Sequence, residues 1–199
     1  MAVGKADLQR DRILTAAQTC FIEHGFHSAS MASIAATAEM SAGLIYRYFA
    51  SKNEIIIAII ERQLALLRRE IAALDGSVDL ATALADTFCQ GESRQHGLSP
   101  ALLLEMSAEA TRDPAIAAAL HEFDDAIRAD LCKWFERSRR AGGHGCELRD
   151  AKAKALALQC FVEGMRVREA REPDLDRHQL ADAIGLFVRA LRESNCDAD

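Results

Sequence analysis

Proline, aromatic residues and long apolar runs are all scarce in this 199-residue chain. Three prolines leave long stretches without a residue that breaks a helix. Two tyrosines and one tryptophan, with aromatic residues at 6% of the chain, do not favour a sheet-rich protein. Half of the residues are hydrophobic, and many segments are rich in Ala, Leu, Glu and Arg, which favour helices. The composition therefore predicts a folded, mostly helical protein of one or two domains.

The sequence also lacks the segments that mark export or membrane insertion. No run reaches the roughly 18 apolar residues that span a bilayer, and the charged residues between Lys5 and Asp11 do not fit a signal peptide. We therefore expect a cytoplasmic protein with no membrane partner. The six cysteines have no C-x-x-C spacing, so we expect free thiols in a reducing compartment.

Net positive charge is missing as well. The formal charge of the chain is −6, which by itself argues against a polybasic protein that coats nucleic acid or membranes. The acidity is unevenly distributed: residues 1–55 carry five basic and five acidic side chains, and all of the excess negative charge follows residue 55. The charge of the whole chain therefore says little about the function of its first quarter.

Motifs for catalysis and cofactor binding are absent from the sequence. There is no phosphate-binding loop, no dinucleotide-binding glycine fingerprint and no G-x-S-x-G elbow. His121-Glu122 lacks the second histidine that a zinc protease helix needs. His144, Cys146 and Glu147 carry metal-ligand atoms, but they have no evident fourth partner, and we interpret this glycine-rich stretch as a loop. We expect a protein that is not an enzyme and that holds no cofactor and no metal.

Apolar residues recur at helical spacing through most of the chain, and glycine, proline or polar clusters separate the segments. The pattern predicts an all-α fold with about nine helices. The predicted spans are residues 9–24, 31–38, 42–49, 52–74, 79–90, 99–111, 114–140, 148–170 and 175–193. The first three helices would form a small head, and the others a helical-bundle body. Ser51 and Glu54 fit a capping box at the start of the fourth helix.

Two of the predicted helices are short and are separated by a tight link, Glu39-Met40, which is typical of a helix-turn-helix. The second helix of such a motif must be capped and exposed on one face, so that its N-terminal end can enter the DNA major groove. Ser41 is a favourable N-cap, and the two small residues after it would let the backbone approach a duplex closely. We expect Ile45 to anchor the helix to the core.

A longer pattern surrounds this motif. Its members are Arg12-Ile13-Leu14, Ala16-Ala17, Phe21, Gly25-Phe26, Ser30-Met31, Ile34-Ala35, Ala38, Ser41, Gly43, Ile45-Tyr46, Tyr48-Phe49, Ser51-Lys52 and Glu54. With this spacing, residues 9–56 resemble the N-terminal domain of the TetR family of bacterial transcriptional regulators. Beyond residue 56 the resemblance is architectural only. It implies a helix-turn-helix DNA-binding domain at 1–55 and a helical effector-binding and dimerisation domain at 56–199.

The resemblance also implies partners and contact residues. It implies a homodimer, joined through the last two helices, that binds a pseudo-palindromic double-stranded DNA operator. We interpret the protein as a ligand-responsive repressor, released by a small-molecule effector of unknown identity that binds the C-terminal domain; activation by the ligand is the alternative left open. By motif position the DNA contacts would be Ser30, Met31, Ala32, Ser41, Ala42, Gly43, Tyr46, Arg47, Tyr48 and Lys52. Arg47 would bind guanine or a phosphate, and Lys52 a phosphate.

Simpler interpretations stand beside some of these assignments. Tyr46 and Tyr48 could be ordinary half-buried aromatics, and Lys52 could be a solvated lysine. One position departs from the family pattern, since the turn residue before Met40 is commonly glycine and here it is Glu39. A non-glycine residue with positive φ costs about 1 kcal/mol, so either the turn has another geometry or the strain is tolerated.

The body is expected to contain the effector pocket, which in helical bundles is mostly apolar with a few orienting polar groups. The candidates are Phe88, Leu103, Met106, Phe123, Trp134, Phe161 and Met165, with Glu105, His121 and Gln159 as polar partners. Each has an alternative interpretation as a plain core residue. For the dimer seam we expect Ala153, Ala155, Ala157, Leu158, Gly164, Leu180, Ala183, Ile184, Phe187 and Leu191. Two other functions stay open. One is a DNA-binding protein that responds to no small molecule and acts through a protein partner, and the other is a helical-bundle enzyme.

Overall fold

The computed structural model describes residues 4–74, 80–89, 99–137 and 144–193. Within these ranges the fold is all-α and comprises nine helices, which confirms the predicted fold class. The helices are α1 (Lys5–His24), α2 (Met31–Thr37), α3 (Ala42–Tyr46), α4 (Lys52–Ala72), α5 (Leu80–Cys89), α6 (Pro100–Ala110), α7 (Pro114–Glu136), α8 (Leu148–Arg171) and α9 (Arg177–Glu193). No helix in these ranges is long and apolar enough to cross a membrane.

Some helix ends differ from the sequence prediction. Helix α1 begins four residues early, because Asp7 accepts a hydrogen bond from the backbone N–H of Gly4 at 3.2 Å and caps the first turn. Helix α3 ends at Tyr46 instead of residue 49, and the last predicted residues of the α7 segment, 138–140, lie outside the described ranges. At α4 the backbone N–H of Glu54 donates to Ser51 as predicted, but the Glu54 carboxylate accepts from the N–H of Ala50.

The chain forms two compact units. The first comprises Met1–Gln63 and Leu98–Phe123, and the second Leu64–Gly97 and Asp124–Asp199. The first unit therefore contains α6 and the start of α7 as well as α1–α3. The division at residue 55 into a DNA-binding and an effector-binding domain stays a prediction about function.

The core of the first unit joins the short helices to α6. Its fully buried side chains include Ile13 and Phe21 of α1, Ile34 of α2, Ile45 of α3 and Met106 of α6, each at most 1% exposed. Helix α1 packs against both α2 and α6, and α2 packs against α3. Burying a side chain of this size stabilises a fold by about 1.5–3 kcal/mol, so this shared core fixes the position of the two short helices.

The second unit has its own buried apolar side chains. They include Trp134 and Phe135 of α7, Leu158 of α8 and Ile184 of α9. Helix α9 packs against α5, and the rings of Phe161 and Phe187 stack with centroids 4.0 Å apart. Helix α9 therefore packs against both α5 and α8 within one chain.

Four residues predicted for the dimer seam pack inside one chain instead. Ala155, Leu158, Ile184 and Leu191 are between 0% and 6% exposed, so they pack in the interior of the second unit. The prediction missed this because one sequence does not show which of two apolar stripes on a helix faces its own core. Of the other six, Ala153, Gly164 and Ala183 are exposed, while Ala157, Leu180 and Phe187 are half-buried.

The described cysteines are free thiols. Cys20, Cys132 and Cys146 are buried, and Cys160 is exposed on α8. Burial raises the pKa of the Cys132 thiol, and the nearby carboxylate of Glu136 acts in the same direction. The side chain of Cys89 and all of Cys196 lie outside the described residues.

Candidate nucleic-acid interface

Helix α2 begins with a reciprocal cap between two serines. The Ser30 hydroxyl accepts a hydrogen bond from the backbone N–H of Ser33 at 3.0 Å, and the Ser33 hydroxyl accepts one from the N–H of Ser30 at 2.8 Å. Two helix N–H groups are thereby satisfied. The spacing Ser30-x-x-Ser33 of this capping pair is visible in the sequence.

The turn between α2 and α3 closes on Glu39 with a left-handed backbone, φ 52°. The N–H of Glu39 donates to the carbonyl of Ala36 at 3.0 Å, and that of Met40 donates to the carbonyl of Ala35 at 2.9 Å. These two bonds form the helix-ending motif that usually takes glycine. The strain at this position is therefore tolerated and the usual turn geometry is kept. The Glu39 carboxylate accepts a hydrogen bond from Arg12 of α1 at 2.8 Å.

Helix α3 is short, capped and anchored at one point. The Ser41 hydroxyl accepts from the N–H of Leu44 at 3.2 Å, as predicted for an N-cap. Ile45 is 0% exposed, which confirms its predicted anchoring role. After Tyr46 the chain continues as a turn, in which the N–H of Arg47 donates to the Leu44 carbonyl at 3.2 Å.

The outer surface of α3 and its two capping residues carry five of the ten predicted DNA contacts. Ser41, Ala42, Gly43 and Arg47 are exposed, and Tyr46 is 56% exposed. A Cβ placed on Gly43 would meet no atom within 4 Å, so this side of α3 is open. A duplex could therefore approach the helix backbone closely.

The remaining predicted contacts on α2 and near α3 differ in accessibility. Ser30 and Ala32 are exposed at the start of α2, whereas Met31 is half-buried and packs against the core of the first unit. Tyr48 is also half-buried and packs against the same core. For Met31 and Tyr48 the structure therefore gives at least a partly structural role.

Lys52 does not offer its ammonium group to solvent in the way that a phosphate contact requires. Its Nζ donates to the backbone carbonyls of Phe26 at 2.7 Å, His27 at 3.3 Å and Ala29 at 2.6 Å. An ammonium group has three donors, and these three bonds use all of them. A phosphate contact would require at least one of them to be given up.

Five of the predicted effector residues lie in the first unit, and two of them have clear structural roles. Met106 is 1% exposed in its core, and Glu105 accepts a hydrogen bond from the N–H of Phe26 at 2.9 Å. Phe123 packs against the same core, Leu103 is half-buried and His121 is exposed. The core interpretation is the better one for Met106.

The other five predicted effector residues lie in the second unit. Trp134 is buried and its Nε1 donates to the carbonyl of Leu74 at 3.1 Å, and Phe161 stacks on Phe187. Phe88 lies beneath the guanidinium of Arg166, 4.8 Å from its ring centroid. Met165 is half-buried on α8.

Gln159, the fifth of these, is a buried polar side chain held by two partners. Its Oε1 accepts from Arg128 Nε at 2.8 Å, and its Nε2 donates to the Asp124 carbonyl at 2.9 Å. Desolvation raises the pKa of nearby Glu163, with Asp124 adding to the shift and Arg128 opposing it. Arg128 was not predicted for this site, because it lies 31 residues before Gln159 and belongs to no local motif.

In the stretch considered for metal binding, the His144 side chain packs against aromatic rings. The His144 ring lies edge-on to Trp134, with centroids 4.7 Å apart, and to Phe135 at 5.0 Å. Among the described residues no group of three His, Cys, Asp or Glu side chains is placed to hold a metal ion.

Comparisons with known proteins agree with this architecture. Residues 13–59 match the family model described as "Bacterial regulatory proteins, tetR family". Residues 78–193 match the model described as "BetI-type transcriptional repressor, C-terminal", which covers more than half of the chain. The chain belongs to the TetR family.

Individual relatives span most of the chain. The transcriptional regulator UidR of Escherichia coli K12 is 39% identical over 162 residues, 77% of this chain and 78% of UidR. BetI of Pseudomonas aeruginosa PAO1 is 25% identical over 177 residues, 86% of each protein. The structure of Salmonella enterica GusR superposes with a TM-score of 0.72 at 28% identity, covering 96% of this chain and 95% of GusR.

A transcriptional regulator from Rhodococcus sp. Rha1 has a TM-score of 0.76 at 18% identity, covering 96% of this chain and 98% of that one, and shows the shared fold alone. The family assignment and the helix-turn-helix together make this TetR-family protein a DNA-binding transcriptional regulator. Regulators of this family are ligand-responsive repressors that typically bind the effector in the C-terminal domain.

Proposed function

We propose that this TetR-family protein represses transcription as a homodimer on a pseudo-palindromic operator and leaves the DNA when a small molecule binds its C-terminal domain. The observation that carries the proposal is the capped, open surface of α3, which ends in exposed Arg47. The match of residues 78–193 to a repressor-type C-terminal domain supports repression over activation.

The charge of the α2–α3 surface suits contact with DNA. From Ser30 to Arg47 the one acidic residue is Glu39, and its carboxylate is paired with Arg12. A phosphate backbone would therefore meet little repulsion there, and Arg47 supplies a donor that can bind guanine or phosphate. Since each head has few basic contacts, specific affinity would depend on two heads binding together.

An exposed apolar stripe on α8 and α9 supports dimerisation through these helices. Both helices already bury one apolar side in the second unit, yet a further set of small and apolar residues is exposed at spacings of three or four. This set is Ala153, Leu156, Cys160 and Gly164 on α8, and Ala183, Leu186 and Ala190 on α9. Leu156 and Leu186 are 49% and 63% exposed. A helix that is apolar on two sides is typically covered on both, and a second copy of the chain would cover this one.

A two-fold dimer would place two α3 helices on two half-sites of the operator. Such half-sites are spaced by one helical turn of about 34 Å or a multiple of it, which predicts inverted repeats in the operator. The effector would release the DNA only if it binds the two arrangements of the dimer with different affinity. Gln159 and Arg128 are suited to orient such an effector, because both are polar groups already fixed in position.

The proposal can be tested with the DNA just upstream of the gene. Fluorescence anisotropy would measure binding of the purified protein to this DNA, and repetition with candidate ligands would search for an effector. We expect nanomolar binding to an inverted repeat and a loss of about a hundredfold on saturation with the effector, which corresponds to roughly 3 kcal/mol. An operator affinity that no ligand changes would contradict the release mechanism, and a monomer at micromolar concentration would contradict the dimer.

A further inference from the structure

The loop that joins α1 to α2 is held by two charged side chains from distant parts of the chain. It begins at Gly25, which ends α1 with a left-handed φ of 75°, and leads to Ser30, the N-cap of α2. All of its contacts described below lie within the first unit. The path of this loop sets where α2 begins, and with it the exposed Ser30 and Ala32.

The carbonyl side of the loop is bound by Lys52 at the start of α4. The three carbonyls of Phe26, His27 and Ala29 converge on its ammonium group, at 2.6–3.3 Å. The same ammonium lies 4.6 Å from the centroid of the Phe26 ring. Partial burial lowers the pKa of Lys52, and nearby Glu109 acts in the opposite direction. The compact ammonium group of Lys52 is thus hydrogen-bonded to three carbonyl oxygens of the loop.

The amide side of the loop is bound by Glu105 of α6. Its Oε2 accepts the backbone N–H of Phe26 at 2.9 Å, across 79 residues of sequence. The same oxygen lies 3.6 Å from the place where a Cβ on Gly25 would stand. One residue further on, His27 Nε2 lies 3.2 Å from Glu109, also on α6. The loop is therefore fixed to α6 on one side and to α4 on the other.

We propose that Lys52 and Glu105 are positioning residues for operator binding, which hold the α1–α2 loop so that the start of α2 lies in register with α3. The proposal deepens the proposed function and rests on operator contact through α2 and α3. It replaces the expected phosphate contact of Lys52 by a contact inside the protein. It also gives Glu105, predicted for the effector pocket, a role in the DNA-binding half of the molecule.

Salt dependence separates a positioning lysine from one that binds phosphate. The operator is first selected from a random duplex pool with the wild-type protein, and its affinity is then measured over a range of salt concentrations. Lys52→Met is expected to lower affinity about tenfold while the slope of log K against log[salt] stays that of the wild type. A lost phosphate contact in each subunit would instead flatten this slope by about 1.8, and that result would overturn the proposal. Lys133→Met, at a side chain 72% exposed, is the control for net charge.

Lys52→Arg provides a second test that does not remove the charge. A guanidinium binds phosphate at least as well as an ammonium, but its planar donors cannot converge on three carbonyls around one point. We expect weaker operator binding than in the wild type. Binding that equals or exceeds that of the wild type would overturn the positioning role. Circular dichroism at the assay temperature would establish that each variant is folded.

For Glu105 the matched pair is Ala and Gln. Glu105→Gln keeps an acceptor oxygen for the Phe26 N–H and should bind the operator within about threefold of wild type, whereas Glu105→Ala should bind about tenfold more weakly. Hydrogen exchange of the free protein gives an independent readout: in Glu105→Ala we expect faster exchange at the loop and the first turn of α2, with α8 and α9 unchanged. Unchanged exchange and affinity would overturn the proposal. Failure of the wild type to bind DNA would contradict the proposed function instead. The exchange result would still decide whether the Glu105 contact orders the α1–α2 loop.

Discussion

Arg12 of α1 donates a hydrogen bond of 2.8 Å to Glu39, the residue with positive φ at the centre of the helix-turn-helix. The side chains are 45% and 84% exposed, so this ion pair contributes little to stability. Its role is better described as neutralising the one acidic charge between α2 and α3. This exposed pair does not offset the backbone strain at Glu39, and the strain can be measured.

The strain predicts an unusual order of stability among variants at this position. Glu39→Gly and Glu39→Ala both remove the carboxylate, so their difference reports the backbone alone. We expect Glu39→Gly to be about 1 kcal/mol more stable than Glu39→Ala in urea unfolding. At the exposed helical position Ala36 the order should reverse, with Ala36→Gly less stable than wild type by about 1 kcal/mol. Equal stability of the two Glu39 variants would contradict the left-handed turn.

Arg47 is predicted to dominate the affinity of each head. Arg47→Ala should weaken operator binding by the dimer roughly 30-fold or more, because one good arginine contact contributes about 1–3 kcal/mol and the dimer loses two of them. Its thermal unfolding should match that of the wild type, since the side chain is exposed. Arg149→Ala, an exposed site at the start of α8, is the matched control and should bind normally. Unaltered affinity in Arg47→Ala would remove the assignment.

Ile45 is predicted to stabilise the fold by anchoring α3, the helix proposed to contact DNA, to the core of the first unit. The side chain is 0% exposed in the core of the first unit. Ile45→Ala should lower the free energy of unfolding by about 2–5 kcal/mol, and Ile45→Val by about 0.5–1.5 kcal/mol. Chemical denaturation would measure both. A loss below about 1 kcal/mol for the alanine variant would show that α3 is not anchored there.

The exposed leucine on α9 tests the proposed dimer. Leu186→Arg places a charge in the apolar stripe and should convert the dimer to a monomer at micromolar concentration, as measured by analytical ultracentrifugation. Leu8→Arg is the control, because Leu8 is similarly exposed at 57% but lies on α1. If both variants keep the same sedimentation behaviour as the wild type, the partner surface lies elsewhere.

Asp176, at the start of α9, is expected to make the stability of the fold depend on pH. Its Oδ1 accepts the backbone N–H groups of His178 at 2.7 Å and Gln179 at 3.3 Å, which lower its pKa. A carboxyl with a lowered pKa stabilises the fold above its unfolded pKa of about 3.9 and loses this effect as the pH falls through the folded value. Asp176→Ala should therefore be less stable than wild type at pH 7, and the gap should narrow below about pH 4. A gap that is the same at pH 7 and pH 3 would contradict this.

The sequence predicted the parts of this fold that depend on local chemistry. Ser41 was readable as a cap, and Ile45 as an anchor, because capping and helical periodicity are properties of neighbouring residues. The bonds of Lys52 and Glu105 to the α1–α2 loop were not readable, since they join residues that are 23–79 positions apart. Lys52 was assigned to phosphate because its residue type and family position suit that role, whereas the positions of the competing carbonyls depend on the tertiary structure.

The membership of α6 in the first unit bears on how this protein could be recombined with its relatives. A DNA-reading module cut after residue 55 would leave behind Met106, which completes its core, and Glu105, which holds its loop. It would also lose Asp113, the hydrogen-bond partner of Asn53. A chimera that exchanges operator specificity between two such regulators should therefore carry Leu98–Phe123 along with the N-terminal segment. The transferable piece is discontinuous in sequence, although the contacts with DNA proposed for it come from one short stretch.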